Sequence, residues 1–226
     1  MNFFRQVLVI AVKDLRAEIR TKEAINASLA FALVILLLFS FAFDPEAETT
    51  REISGGLLWI VFAFAGTLIL NRSFARELPN DCLDALIAAP VSGAALFLGK
   101  AIANYVLLLA VESVSLPVFG IFYNMRWTAR LPELMLVLLL GTWALTVIGT
   151  MTSALTVNIR LREVMLPMLT YPILVPALMG AMQLTHDLVN GKPISGDSVS
   201  WLKMIIGFDV IFTAVSLVLV ETVLVG

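Results

Sequence analysis

Two carboxylates stand inside long apolar stretches of the chain. Glu112 lies near the middle of one, five residues before Pro117, and Asp209 lies about two turns into another. A carboxylate at mid-bilayer costs about 2.5–3.5 kcal/mol on insertion scales. Acids kept at that cost normally face other helices and find hydrogen-bonding partners. Asn104, Thr142, Thr146 and Gln183 are the side chains expected to serve them. For each acid two readings stay open, a structural hydrogen bond or a step on a transport path. Glu221, close to the end of its stretch, is expected to snorkel to the interface.

Other chemistry is sparse. His186 is the sole histidine and sits beside Asp187. The simpler reading is a loop residue; the sharper one is an axial ligand for haem iron or a proton-handling group. Met165, Met168, Met179 and Met182 read as packing residues before soft-metal ligands. Gly93-Ala-Ala-Leu-Phe-Leu-Gly99-Lys100 imitates a phosphate-binding loop. It has five residues between its glycines where four are required, and Ala101 where Ser or Thr should hold magnesium. Any ATP used by this protein is therefore expected on another chain. With Cys82 the single cysteine, a disulfide framework and a multi-cysteine metal site are excluded.

The elements that must position these groups are membrane helices. Hydrophobic residues make up 60% of the 226 and charged ones 14%, against about 25% charged in soluble domains. A soluble fold of this size has no core large enough to hide that surface. The net charge of −2, with no basic tract, argues against nucleic acid as a partner. Six stretches reach the roughly 17–25 residues that cross a bilayer: 25–43, 53–70, 101–123, 134–157, 164–184 and 204–224. They do not alternate, so helices are the form that satisfies their backbone in lipid. The expected fold is an all-α membrane protein, with residues 1–24 as an interfacial helix and 25–226 as a six-helix transmembrane domain. Charges continue to Glu23, so the opening is not read as a secretory signal.

Lys and Arg set the orientation. With the N-terminus inside, ten of the 15 fall on the cytoplasmic side: Arg5, Lys13, Arg16, Arg20, Lys22, Arg72, Arg76, Lys100, Arg160 and Arg162. Both termini are thus expected in the cytoplasm. In the first 24 residues, Phe4, Leu8, Val12, Leu15 and Ile19 trace an apolar stripe. Arg5, Lys13, Asp14, Arg16, Glu18 and Arg20 mark the other side of what is expected to be an amphipathic helix on the membrane surface.

The connection 71–100 is long for a helix pair. Asn80 or Asp81 is suited to cap a short helix with Leu83, Leu86 and Ile87 on one face; Pro90 stops it and Ser92 caps the next. Such a helix either rests on headgroups or takes a push from a partner. In the fifth span, Pro167, Pro172 and Pro176 predict a kinked helix that is buried or broken. In the fourth, Gly141, Gly149 and Ser153 share a face suited to close packing.

Lys13-Asp14-Leu15-Arg16-Ala17-Glu18-Ile19-Arg20-Thr21-Lys22-Glu23 resembles the entry motif of the haem exporter protein B (CcmB) family. Phe74-Ala-Arg-Glu77, Leu83-Asp84-Ala85-Leu86, Ala89-Pro90 and Gly99-Lys100 are similar to that family's second block, although Cys82 stands where the family often has glycine. The likeness in length and spans covers essentially the whole chain. It implies a type-2 ABC exporter-like permease of the bacterial inner membrane, serving cytochrome c maturation and without an ATPase site of its own. It also implies an ATP-binding cassette subunit docked on the 71–100 loop through Glu77, Leu83, Asp84 and Leu86. Further implied partners are a haem-handling membrane subunit, a haem chaperone and a second permease copy, with haem at most a transient passenger. Two other readings stay open: an ABC permease for another hydrophobic or lipid-like substrate, and a proton-coupled secondary carrier resting on Glu112 and Asp209.

Overall fold

The computed structural model describes residues 2–44, 47–78, 91–124 and 127–225, with side chains through 222. Among them are seven α-helices: α1 (Phe3–Thr21), α2 (Glu23–Ala42), α3 (Glu48–Ser73), α4 (Gly93–Phe122), α5 (Leu131–Thr156), α6 (Arg162–Val189) and α7 (Asp197–Val225). A 3-10 turn, Ala75–Glu77, follows α3. Six helices, α2 to α7, are long and apolar enough to cross a membrane, so the chain is an all-α, multi-pass membrane protein.

Helices α3 and α5 form the centre. Helix α2 packs on α3 and α4, α6 packs on α3 and α5, and α7 covers α4, α5 and α6. The small face of α5 makes the central contact close. A Cβ on Gly141 would strike the Trp59 ring, and one on Gly149 would strike Leu70, both on α3. Ser153, on the same face, donates to the Leu70 carbonyl at 2.8 Å. Around this contact the core buries Trp59, Phe62, Phe119 and Tyr123. The two large polar aromatics find partners: Trp59 Nε1 donates to Thr185 at 2.9 Å and the Tyr123 hydroxyl to the Leu36 carbonyl at 3.0 Å.

Helix α6 runs unbroken through Pro167, Pro172 and Pro176. The expectation of a buried or broken span fails here. Each proline removes only its own backbone bond, and the flanking bonds carry the helix on. Thr170, Leu174, Ala177 and Ala181 pack inward, while Val164, Met168, Val175 and Met179 stay exposed.

Helix α4 has 30 residues and is about 45 Å long, so it outruns the roughly 30 Å of hydrocarbon. Ser92 starts it as expected, its hydroxyl accepting from the Ala95 amide at 3.2 Å. The phosphate-loop look-alike Gly93–Lys100 forms the first two turns of this helix. Helix α1 lies along those turns. A single residue joins α1 to α2: Lys22, at φ 55°, a left-handed conformation uncommon outside glycine.

Candidate functional site

Helix α1 carries two stripes, and they meet different surroundings. Phe4, Leu8, Val12 and Ile19 are exposed, as suits contact with lipid. Val7, Ile10, Ala11, Asp14 and Glu18 repeat at helical spacing and are buried against the bundle. Asp14 and Glu18 therefore do not mark an outward polar side; they enter a charged cluster between α1, the end of α3 and the head of α4. Gly99 lets α1 come this near, because a Cβ there would stand 2.7 Å from the Ile10 Cβ and 2.9 Å from the Val7 carbonyl oxygen.

Lys100 is the centre of the cluster and is 0% exposed. An ammonium has three protons to donate, and all three are used. They reach Asp14 Oδ2 at 3.0 Å, Glu77 Oε1 at 3.1 Å and the Ser73 carbonyl at 2.9 Å. The Phe74 ring lies 5.1 Å from the same nitrogen, within cation–π range. Lys13 donates to Glu77 at 2.5 Å and stands 3.2 Å from Asp14. Burial alone would lower the Lys13 ammonium, but Glu77 and Asp14 outweigh that and hold it above the ordinary lysine value. One turn down, Asn104 donates to Ser73 and Thr150 at 2.9 Å each, tying α4 to α3 and α5.

Glu18 makes the second half. One oxygen accepts from the Ala24 and Ile25 amides at 2.7 and 3.0 Å, so this side chain of α1 caps the free N–H groups at the start of α2. The other accepts from Arg76 at 2.7 Å. Burial alone would raise the Glu18 carboxyl. The Ile25 amide, the Arg76 guanidinium and the Ala24 amide outweigh it and hold the group below the ordinary glutamate range. Arg72 and Glu23 pair just outside. Lys13, Arg76 and Lys100 thus balance Asp14, Glu18 and Glu77. Beside the cluster opens a cleft of about 1060 Å³ lined by the charged side chains of Lys13, Glu18 and Arg76 and by the apolar Phe31, Phe64 and Pro167, among others.

Of the four residues expected to meet an ATP-binding subunit, Leu83, Asp84 and Leu86 lie outside the described residues, as do Cys82 and the capping positions Asn80 and Asp81. Glu77 is described, and its carboxylate is engaged inside the chain by Lys13 and Lys100. Sequence reasoning missed Lys100, Asp14 and Glu18 as a unit. The available signal was their register: Asp14 and Glu18 continue the stripe of Val7, Ile10 and Ala11.

Within the membrane-spanning part, Glu112 is 1% exposed, and the Thr142 hydroxyl lies 2.7 Å from both of its carboxyl oxygens. Thr142 was among the expected partners; Asn104 and Thr146 bond elsewhere. Asp209 is 7% exposed, and neither carboxyl oxygen has a hydrogen-bond partner among the described residues. The two acids share no bond. His186, at the other end of the bundle, donates from Nδ1 to the Arg51 carbonyl at 3.1 Å, and beside it a small pocket includes Glu52, Met182 and Gln183.

The family model described as CcmB protein matches residues 5–222. Heme exporter protein B of Rhodobacter capsulatus is 34% identical over 182 residues, covering 80% of this chain and 83% of that protein. The protein of the same name from Paracoccus denitrificans is 32% identical over 187 residues, covering 82% and 85%. That from Pseudomonas aeruginosa is 28% identical over 198 residues, covering 86% of each. A match that takes in α1, all six spans and both arms of the charged cluster leaves one assignment: the chain belongs to the CcmB protein family.

Proposed function

We propose that this chain is the membrane permease subunit of an ABC-type haem exporter acting in cytochrome c maturation. The observation that carries the reading is the family match over residues 5–222, joined to a six-helix bundle. In this reading ATP is bound and hydrolysed by a separate subunit, which docks on the segment holding Leu83, Asp84 and Leu86. Glu77 contributes by fixing the root of that segment through Lys13 and Lys100. Haem is a transient passenger or is released with its chaperone, and a haem-handling membrane subunit and a second permease copy complete the assembly. The protein lies in the bacterial inner membrane with α1, Arg76 and Lys100 on the cytoplasmic side, an orientation supported by the ten-to-five split of Lys and Arg.

Purification of the tagged chain from its own membranes in mild detergent tests this. The expected result is a co-purifying ATP-binding subunit with ATPase activity, and release of haem-loaded chaperone that requires ATP. A chain that purifies without any ATPase would refute the reading, and so would a reporter placed after Glu48 that proves cytoplasmic refute the orientation.

A further inference from the structure

The cleft beside the charged cluster changes character along its walls, which come from α1, α2, α3 and α6. Glu23 and Phe31 both line it and stand eight residues apart on α2; Arg72 and Phe64 both line it and stand eight residues apart on α3. At 1.5 Å per residue each interval is about 12 Å. The walls therefore pass from charged to aromatic over a depth like that between the headgroups and the acyl chains of a bilayer. Phe64 is exposed, so the aromatic wall continues onto the surface of the bundle that meets lipid. We propose that this cleft binds one phosphatidylethanolamine molecule from the leaflet on the α1 side. Its phosphate sits on Arg162, its ammonium on Glu163 and Asn71, and one acyl chain lies against Phe31 and Phe64. The proposal goes beyond the haem reading and does not depend on it.

The charges left over in the cleft select that headgroup. Arg76 is matched by Glu18, Arg72 by Glu23 and Lys13 by Glu77. Arg162 and Glu163, at the start of α6, line the same cleft, and neither has an ion pair or a side-chain hydrogen bond among the described residues. Arg162 is half-buried, where an arginine without a counter-charge is costly. Asn71 is also on the wall, and its side-chain oxygen is buried without a hydrogen-bond partner among the described residues; such an atom is normally satisfied. The site thus offers one cation for an anion, and one carboxylate and one amide oxygen for a donor. Phosphatidylethanolamine carries a phosphate and, a two-carbon link away, an ammonium with three protons to donate. Phosphatidylcholine has the same charges but no N–H for Asn71 or Glu163. Phosphatidylglycerol suits Arg162 and leaves Glu163 beside a like charge. At about 1060 Å³ the cleft is at the upper end of ordinary ligand sites, as a headgroup with part of one chain requires.

The test uses the full chain in phosphatidylcholine vesicles with a trace of phosphatidylethanolamine that carries a photoreactive diazirine in one acyl chain. Illumination should place the label on peptides containing Phe31 or Phe64. Added unlabelled phosphatidylethanolamine should lower that labelling at least about tenfold, and equal amounts of phosphatidylglycerol or extra phosphatidylcholine by less than about twofold. Arg162→Gln and Glu163→Gln should each weaken it by about tenfold, the loss of one hydrogen bond to a charged group. Arg160→Gln, an exposed neighbour that does not line the cleft, should leave it unchanged.

Equal competition by phosphatidylcholine would overturn the proposal by reducing the site to an apolar groove. Stronger competition by phosphatidylglycerol would overturn it in favour of an anionic lipid. Labelling spread evenly over the lipid-facing helices would overturn it by denying a site. If either glutamine variant fails to fold, the headgroup competition on the unaltered chain still decides. The same labelling repeated on the complex taken from its own membranes closes the test: persistence at Phe31 or Phe64 is expected, and loss there would overturn the proposal by giving the cleft to a protein partner.

Discussion

Alanine at Gly99 is the sharpest probe of how α1 is seated. Built on the present backbone, its Cβ would lie 2.7 Å from the Ile10 Cβ and 2.9 Å from the Val7 carbonyl oxygen. Ordinary carbon contacts fall at about 3.5–4.0 Å, so α1 must retreat by about 1 Å. That retreat stretches the 3.0 Å bond from Lys100 to Asp14 to about 4 Å, beyond hydrogen-bond range. Overpacking of this kind costs about 1–3 kcal/mol. In an uncrowded helix the same substitution gains about 0.8–1.0 kcal/mol. Gly56 and Gly207 supply that reference, because a Cβ at either meets nothing within 4 Å. Gly99→Ala should therefore fall about 2–4 kcal/mol below Gly207→Ala and Gly56→Ala. On a chain of this size that is a drop of roughly 5–15 °C in the thermal midpoint, read on purified protein in detergent. Adding Ile10→Ala should recover part of the loss and not all, since the Val7 carbonyl remains in the way. A Gly99→Ala protein that melts with the two controls would refute the close seating of α1.

Glu18→Ala removes the acceptor for two α2 amides and the partner of Arg76, and is expected to cost about 2–4 kcal/mol. Because the folded Glu18 carboxyl lies below its ordinary value of 4.5, its contribution is complete above that value and is lost as pH falls toward the folded one. Thermal midpoints taken from pH 7 downward should show this acid-side fall, and Glu18→Gln should flatten it. Trp59→Phe deletes the buried bond to Thr185 and should cost about 0.5–1.5 kcal/mol, with Thr185→Val adding little on top in a double-mutant cycle. Asp209→Leu removes a buried carboxyl without a hydrogen-bond partner and should raise stability by about 1–3 kcal/mol. If it is instead destabilised, Asp209 has a partner that this bundle alone does not supply.

Contacts set by local pattern were legible in the sequence. The six spans follow from uncharged runs, Ser92 from its place before an apolar helix, and the face of Gly141, Gly149 and Ser153 from helical spacing. Thr142 could be named for Glu112 because intramembrane acids have few polar neighbours to choose from. The charged cluster was hidden for two reasons. Its pairs join residues tens of positions apart, which no periodicity reports. Moreover, α1 is amphipathic about two stripes, and a single apolar–polar division assigns its buried acids to the solvent side. The prolines of α6 misled for a different reason: they fix where backbone bonds are lost and say nothing of whether the remaining bonds suffice.

The buried lysine also bears on how the protein is made. A nascent chain shows its cations to the insertion machinery one segment at a time, before tertiary pairs exist. At that stage Lys13, Arg76 and Lys100 are bare positive charges that resist crossing and help retain α1 and the 74–92 connection on the side of synthesis. In the finished fold the same three are matched by Asp14, Glu18 and Glu77, so the mature surface carries less of the charge that set its topology. Substitutions that neutralise these three cations therefore act twice, first on the direction of insertion and then on the packing of α1. Inverted molecules and misfolded molecules are separate products of one mutation, and protease accessibility of the connection between α2 and α3 distinguishes them.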